Sequence, residues 1–549
     1  MIKFAHWNSK KIAAQCVFPR IDVDTYLNDE VYRNDIKKLA EIGCGGFCIF
    51  QGNIEKVKNI IAELQMIAEI PLLFCADFEN GLQMRLEDGT SFPHSMALAK
   101  TGNYTTTVAN AIAKEAKNLG VLWNLAPVCD VNSNPKNPVI NIRSFGEEPK
   151  IVTENTIKYV EATQFENVVA CAKHFPGHGD TEVDSHSNFP VLNKNIEELE
   201  RNELIPFVAA IENQVKSIMV GHLIVEKLDE ENPASLSKNI VTVLLRNKLN
   251  YNGVIVSDGL DMKSITNKYT SQEIAKLAIN AGIDVLLIPE KPKEIIETIQ
   301  QIIENDEKMK ESLLQSVNRI YNLKVWTKLI PRFASSDGNV KIFSEHLQLA
   351  LKAAVEATEL IFADNNFADS NTDSCTNSST NSDADSENNK NAHSKNIRSE
   401  KELQKLIPLP ESQNYAAFSI IQKADDIQAA SRFFTMLAGA TENDCDYAYL
   451  DETISEAELN DMKSGVIGAE FIIFALFYRG RGYAATLGSA EKINKIIAHL
   501  ADGRDYIIIF FGDPYIAGTV GGKIKILTYS DSFASLASAI MTLTGRKMD

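Results

Sequence analysis

The sequence predicts an α/β protein in two parts: a (β/α)8 TIM-type barrel over residues 1–335, then a smaller doubly wound α/β domain over 399–549. Three observations predict it. From about residue 30 to 330, short runs of Val, Ile and Leu alternate with longer amphipathic stretches. That is the pattern of parallel strands buried on both faces and linked by helices. The alternation stops in a stretch of mostly Asn, Ser, Asp, Thr and Ala at 364–398 and resumes from Leu406. Polar or ionisable residues stand just after five of the apolar runs, which is where a barrel opens on its site.

In the first part the candidate strands are 46–50, 72–76, 122–126, 168–172, 217–220, 253–256 and 284–288, with 12–18 as the eighth. Helix-like segments between them include 57–66, 105–119, 196–212 and 271–281. An open doubly wound sheet is the alternative, because counting strands does not show closure. Residues 300–327 read as one long helix. Residues 336–363 are a linker and a further helix from His346. The stretch 364–398 cannot bury a core and reads as a disordered insert. In the second part, strands are expected at 415–420, 447–450, 471–477, 506–511 and 524–528. Helices are expected at 425–437, 455–463, 490–500 and 532–543. No Gly-x-Gly-x-x-Gly follows its first strand, so a dinucleotide is not indicated.

Bulk properties narrow the partners. At 549 residues the chain is too long for one core. Its formal net charge of -18 argues against binding a nucleic-acid backbone. The N-terminus lacks an apolar core of signal-peptide length, and no apolar stretch approaches a membrane span. A cytoplasmic location and no membrane partner are the expectation. The eight cysteines are scattered. Cys48, Cys75 and Cys171 lie in apolar runs, which suits buried free thiols in a reducing compartment. Cys44 and Cys48 are close, but no second pair offers metal-ligand spacing, so neither a metal nor a cofactor is expected.

The densest chemistry lies in Lys173-His174-Phe175-Pro176-Gly177-His178-Gly179-Asp180-Thr181, running on to Asp184-Ser185-His186. Three of the nine histidines fall between 174 and 186. Glycines and a proline make this a sharp loop on the end of a buried strand. An imidazole can give and then take a proton near pH 7, and a carboxylate two residues away can orient it. His186 and Asp184 are therefore a candidate acid/base pair. A loop histidine capping a carbonyl is the plain reading, and His178 and Asp180 are rivals for the two roles. Asp258, in Gly253-Val254-Ile255-Val256-Ser257-Asp258-Gly259, is a helix N-cap, an ion-pair partner or a catalytic carboxylate. At a barrel mouth such a group suits nucleophilic attack on an acetal carbon. Lys173, His174 and His222 end strands and can donate to hydroxyls or serve structural bonds. Asp77, Arg85 and Arg143 can bind sugar hydroxyls or pair between loops.

Together these blocks resemble glycoside hydrolase family 3, in its β-N-acetylglucosaminidase branch. The resemblance rests on Lys173 to Thr181 with Asp184-Ser185-His186. It rests also on Asp130 through Ile140 with Arg143-Ser144-Phe145-Gly146-Glu147, on Asp77 to Arg85, and on Ser257-Asp258. It covers about residues 10–330. The rest looks like the family's second, α/β sandwich domain, with Phe511-Gly512-Asp513-Pro514-Tyr515 as landmark. The resemblance implies Asp258 as nucleophile, His186 as acid/base and Asp184 as its partner. It implies Asp77, Arg85, Arg143, Lys173 and His174 as sugar contacts; His222, from its place after a strand, is expected to bind substrate in a similar way. A histidine thus replaces one carboxylate of the usual retaining pair. A neutral imidazole can serve as base without setting a second anion beside the nucleophile. Two departures stand out: Asn80 where the family often has Gly, and Gly259 where it often has an acid. The implied activity is retaining exo-hydrolysis of terminal β-linked N-acetylglucosamine from muropeptides or chito-oligosaccharides. Phosphorolysis of the same bond, β-glucosidase activity and a non-catalytic sugar-binding protein are the rivals.

Overall fold

Parallel strands apolar on both faces need cover on both, and each crossover supplies it with a helix. The computed structural model describes residues 4, 6–181, 189–330, 344–362, 404–409, 414–421, 426–441, 446–451, 453–478 and 489–546. It divides into two compact units. One is built mainly from Met1–Ala357, the other from Thr358–Phe477, Thr486–Thr528 and Leu536–Asp549.

The strands of the first unit are β1 Val17–Phe18, β2 Arg20–Asp22, β3 Gly46–Phe50, β4 Leu73–Ala76, β5 Trp123–Asn124, β6 Cys171–Phe175, β7 Val191–Leu192, β8 Ser217–Val220, β9 Ile224–Val225, β10 Val254–Ser257 and β11 Leu286–Leu287. β2, β3, β4 and β5 pair in parallel in that order. β6 pairs with β8, and β8 with β10, also in parallel. β11 pairs with β1. Single parallel bridges link the runs: Trp123 to Val169, Val128 to Lys173, and Val256 to Val285. β7 and β9 form a separate small pair. Parallel pairing sends the strand C-termini the same way, so Phe50, Asp77, Phe175 and Asp258 stand at one end of their strands. The interior is tightly filled. Trp123 is fully buried, donates its indole N–H to Ser217 Oγ at 2.8 Å, and meets Phe18 edge to face.

Several elements differ from the sequence reading, each for a local reason. Residues expected as the strand 12–18 form a helix, Ser9–Gln15, before the short β1; the Asn8 side chain accepts from Lys11 N at 2.8 Å and caps it. A short buried apolar run does not by itself distinguish helix from strand. The stretch 196–212 is two helices, Ile196–Arg201 and Ile205–Glu212, the second with Pro206 in its first turn. Residues 300–327 are likewise split between Pro292–Asn305 and Glu307–Trp326, because Asp306 caps the second helix through Met309 N. The helix read from His346 to 362 is Ser344–Ala357, followed by a strand, β12 Glu359–Phe362.

In the second unit follow β13 Tyr415–Ile421, β14 Asp446–Leu450, β15 Phe471–Tyr478, β16 Asp505–Gly512 and β17 Ile524–Leu527. The sheet order is β12-β17-β16-β15-β13-β14, with β12 antiparallel to β17. β13 pairs in parallel with β14 and β15, and β16 with β17. Phe433, Phe471, Phe477 and Phe511 are buried in its core. The stretch 364–398 lies outside the described residues. Among the described residues no helix is long and apolar enough to cross a membrane.

Candidate active site

The loop after β4 carries Asp77 and Glu79, two residues apart. Both meet the amine of Lys173, which projects from β6 and is 2% exposed. Lys173 Nζ lies 2.8 Å from Asp77 Oδ1 and 2.8 Å from Glu79 Oε1. Arg85 Nη2 donates to the other Asp77 oxygen at 2.5 Å. Arg143 clasps Glu79 through two bonds, Nε to Oε2 at 3.0 Å and Nη2 to Oε1 at 2.8 Å. Burial opposes ionisation of both carboxyls. For Asp77 it is outweighed by Lys173 and Arg85, and for Glu79 by Arg143 and Lys173, so both sit well below the usual carboxylate range. The result is two anions and three cations in one cluster, able to grip neighbouring hydroxyls from fixed positions.

Asp130 organises the next loop. Its carboxylate accepts the backbone N–H of His174 at 3.1 Å and that of His178 at 2.7 Å, and lies 2.7 Å from His174 Nδ1. The far nitrogen of His174, Nε2, is 3.5 Å from Arg143 Nη2. The ring thus stands between the Asp130 carboxylate on its Nδ1 side and the Arg143 guanidinium on its Nε2 side. Asn137 Nδ2 donates to the His178 carbonyl at 2.7 Å and so ties this loop to 130–146. Gly179 passes so close that an added Cβ would stand 1.7 Å from the Val131 carbonyl oxygen, which admits only glycine.

The structure places the two rivals, His178 and Asp180. His178 is 1% exposed, its Nδ1 lies 2.9 Å from Thr181 Oγ1, and burial pushes its imidazole down to about 4. It is a neutral, enclosed ring. Asp180 is paired with Lys194 at 2.6 Å. Asp184 and His186 lie outside the described residues.

Asp258 follows β10. Its N–H donates to the Val220 carbonyl at 3.0 Å, and its Oδ1 accepts from Gly259 N at 2.8 Å. No hydrogen bond to Oδ2 is made among the described residues. Burial opposes its charge, but the nearby His174 and His222 outweigh burial and lower its pKa below the usual carboxylate value. It is an ionised carboxylate with one open oxygen. His222 is fully buried, with Nδ1 2.7 Å from Ser235 Oγ and Nε2 2.9 Å from the Gly259 carbonyl. Both ring nitrogens thus engage protein, and one of them holds the residue next to Asp258.

Asp77, Arg85, Arg143, Lys173 and His174 are joined in this network, and Asp258 lies near enough for His174 and Lys173 to favour its charge. Glu79 and Asp130, which were not among the site residues expected from the sequence, are the hubs of the network. For Glu79 the available signal was its place two residues after Asp77 at a strand end. Among the described residues no group of three His, Cys, Asp or Glu side chains could hold a metal. The described cysteines are free and buried.

Residues 21–323 match the family model of the glycosyl hydrolase family 3 N terminal domain. Over 373 residues the chain is 34% identical to Beta-hexosaminidase A of Pseudoalteromonas piscicida, covering 61% of each protein. Over 312 residues it is 30% identical to a Beta-N-acetylglucosaminidase/beta-glucosidase of Cellulomonas fimi, covering 55% of each. The chain therefore spans less than two thirds of the length of these two relatives. The solved structure of a glycoside hydrolase family 3 beta-N-acetylglucosaminidase from Paenibacillus sp. str. FPU-7 superposes with a TM-score of 0.79 at 25% identity, over 98% of this chain and 96% of that one. The family match encloses every residue of the network, from Asp77 to Asp258, and the chain belongs to glycoside hydrolase family 3.

Proposed function

We propose that the protein is a retaining exo-β-N-acetylglucosaminidase that releases terminal non-reducing N-acetylglucosamine from small glycans such as muropeptides or chito-oligosaccharides. The observation that carries this reading is Asp258: an ionised carboxylate at a strand end, one oxygen open, beside the buried cluster of Asp77, Glu79, Lys173, Arg85 and Arg143. The names of the relatives support the acetamido sugar. We also read the strand pairings as a closed eight-stranded barrel. The β1–β2 segment pairs with β3 on one side and β11 on the other, and the bridges join the remaining runs.

In the first step Asp258 attacks the anomeric carbon while His186 donates its proton to the departing oxygen. A glycosyl ester forms and the alcohol leaves. In the second step His186 takes a proton from water, the water oxygen bonds to the anomeric carbon, and Asp258 is released as carboxylate. Asp184 orients the imidazole. The roles of His186 and Asp184 rest on the motif that continues from Thr181. Asp77, Arg85, Arg143, Lys173 and His174 hold the sugar, and His222 supports the loop of Asp258.

The test is turnover of a chromogenic β-N-acetylglucosaminide and the matching β-glucoside, each with and without phosphate. Preference for the acetamido sugar, indifferent to phosphate, is expected. A phosphate-dependent rate yielding sugar 1-phosphate would make the reaction a transfer. Preference for the glucoside would overturn the substrate assignment.

A further inference from the structure

Phe50 ends β3 with its ring between two guanidinium groups. Arg20 Cζ lies 4.3 Å from the ring centroid and Arg85 Cζ 4.2 Å. One face of a benzene ring holds one planar guanidinium at that distance, so the two arginines take opposite faces. On the inner side Arg85 continues to Asp77 through its Nη2. On the outer side Arg20 continues to Asp22 at 3.4 Å and to Asp261 at 3.8 Å, three residues beyond Asp258. The sequence Asp77, Arg85, Phe50, Arg20, Asp261 therefore runs from the loop after β4 to the loop after β10, by way of β2 and β3.

Arg85 needs such a support. Its Nε–H is buried and has no hydrogen-bond partner among the described residues. A bond from Nη2 alone lets a guanidinium pivot about that contact. A ring face 4.2 Å away removes the pivot, because stacking is favourable only when the planes are matched.

We propose that Phe50 and Arg20 are positioning residues for the terminal sugar ring. They set the plane of the Arg85 guanidinium, and so the direction in which its remaining N–H groups meet substrate hydroxyls. The proposal rests on the reading of Arg85 as a sugar contact. Misplacing a binding group by about 1 Å can cost on the order of 100-fold in rate. Loss of a stacking partner that leaves Arg85 tied to Asp77 should cost less, about tenfold.

The experiment compares Phe50→Leu, Phe50→Tyr and Arg20→Met with wild type. It measures KM and kcat on the chromogenic β-N-acetylglucosaminide, calorimetric binding of free N-acetylglucosamine, and Tm. Phe50→Leu, which keeps apolar bulk but no aromatic face, should raise KM and weaken sugar binding by about tenfold, with kcat within about twofold. Phe50→Tyr should restore both. Arg20→Met should show a smaller loss in the same direction, and its partly exposed position protects the fold should Phe50→Leu fail to express. Wild-type sugar binding in both Phe50→Leu and Arg20→Met would overturn the proposal. So would equal losses in Phe50→Tyr and Phe50→Leu, which would mark simple packing. If wild-type protein neither binds nor cleaves any β-glycoside, the functional reading falls and takes this proposal with it. If wild type binds the sugar and the variants match it, only the stack is refuted.

Discussion

Replacing Glu79 by Gln removes one charge from the middle of the cluster and almost no volume. Glu79 is 5% exposed and receives three contacts: two from Arg143 and one from Lys173. A glutamine offers one accepting oxygen and turns an NH2 toward donors, so Arg143 or Lys173 loses its partner. Breaking a buried ion pair from one side costs about 3–5 kcal/mol, and in a unit of this size that lowers the apparent Tm by about 5–10 °C. The pH dependence adds a second signature. Glu79 titrates below its ordinary 4.5 in the folded protein. The charge therefore stabilises fully above that value, and its contribution is lost as the pH falls through the folded pKa. The Tm difference between wild type and Glu79→Gln should hold steady from pH 8 to about 5 and narrow below. With Arg143 or Lys173 deprived of one of its bonds, and Lys173 still tied to Asp77, kcat/KM should fall by up to about 100-fold. The assay is calorimetric unfolding across that pH range together with steady-state kinetics. A Tm within a degree of wild type, or a difference that widens toward acid, would refute the reasoning.

Asp258→Asn should lower kcat on the order of 10,000-fold while leaving Tm unchanged or higher; retained activity would remove the nucleophile. His186→Ala should lower kcat by about 100- to 10,000-fold on an alkyl glycoside and much less on a nitrophenyl glycoside, whose leaving group needs no proton. Because His186 must carry its proton in the first step, the basic limb of kcat/KM should belong to it and vanish in that variant, while the acid limb, set by Asp258 held below the usual carboxylate range, should stay; a basic limb that persists argues for another acid. Lys194 joins both sides of the stretch 181–193 through Asp180 at 2.6 Å and the buried Glu203 at 2.5 Å. Lys194→Met should reduce kcat and Tm while free-sugar affinity holds, which kinetics and calorimetry together would check.

What the sequence revealed and what it hid follow from how far each interaction reaches along the chain. Strands buried on both faces read as apolar runs, so Gly46–Phe50 and Ser217–Val220 were legible to the residue. The polar residues after them were legible because a loop at a strand end needs a reason to carry charge. The pairing was not. Glu79 meets Arg143 and Lys173 across 64 and 94 positions, and no local pattern announces that. Asp130 likewise reads as one loop carboxylate until His174 and His178 close on it. His222 looked like a substrate group because it ends a strand, and only its neighbours Ser235 and Gly259 show both nitrogens occupied. His178 reads in sequence as a rival to His186, and only its burial shows it to be an enclosed ring. The split of 300–327 turns on Asp306 acting as a cap, a choice a continuous apolar period conceals.

The central claim is a covalent sugar on Asp258. The direct measurement is mass spectrometry of the protein quenched in acid during turnover of a 5-fluoro β-N-acetylglucosaminyl substrate, which slows both steps, followed by peptide mapping. The account predicts one N-acetylglucosaminyl adduct, on the peptide containing Asp258 and absent in Asp258→Asn. Turnover without an adduct on that peptide would contradict it and point to attack by the substrate's own acetamido oxygen or by water.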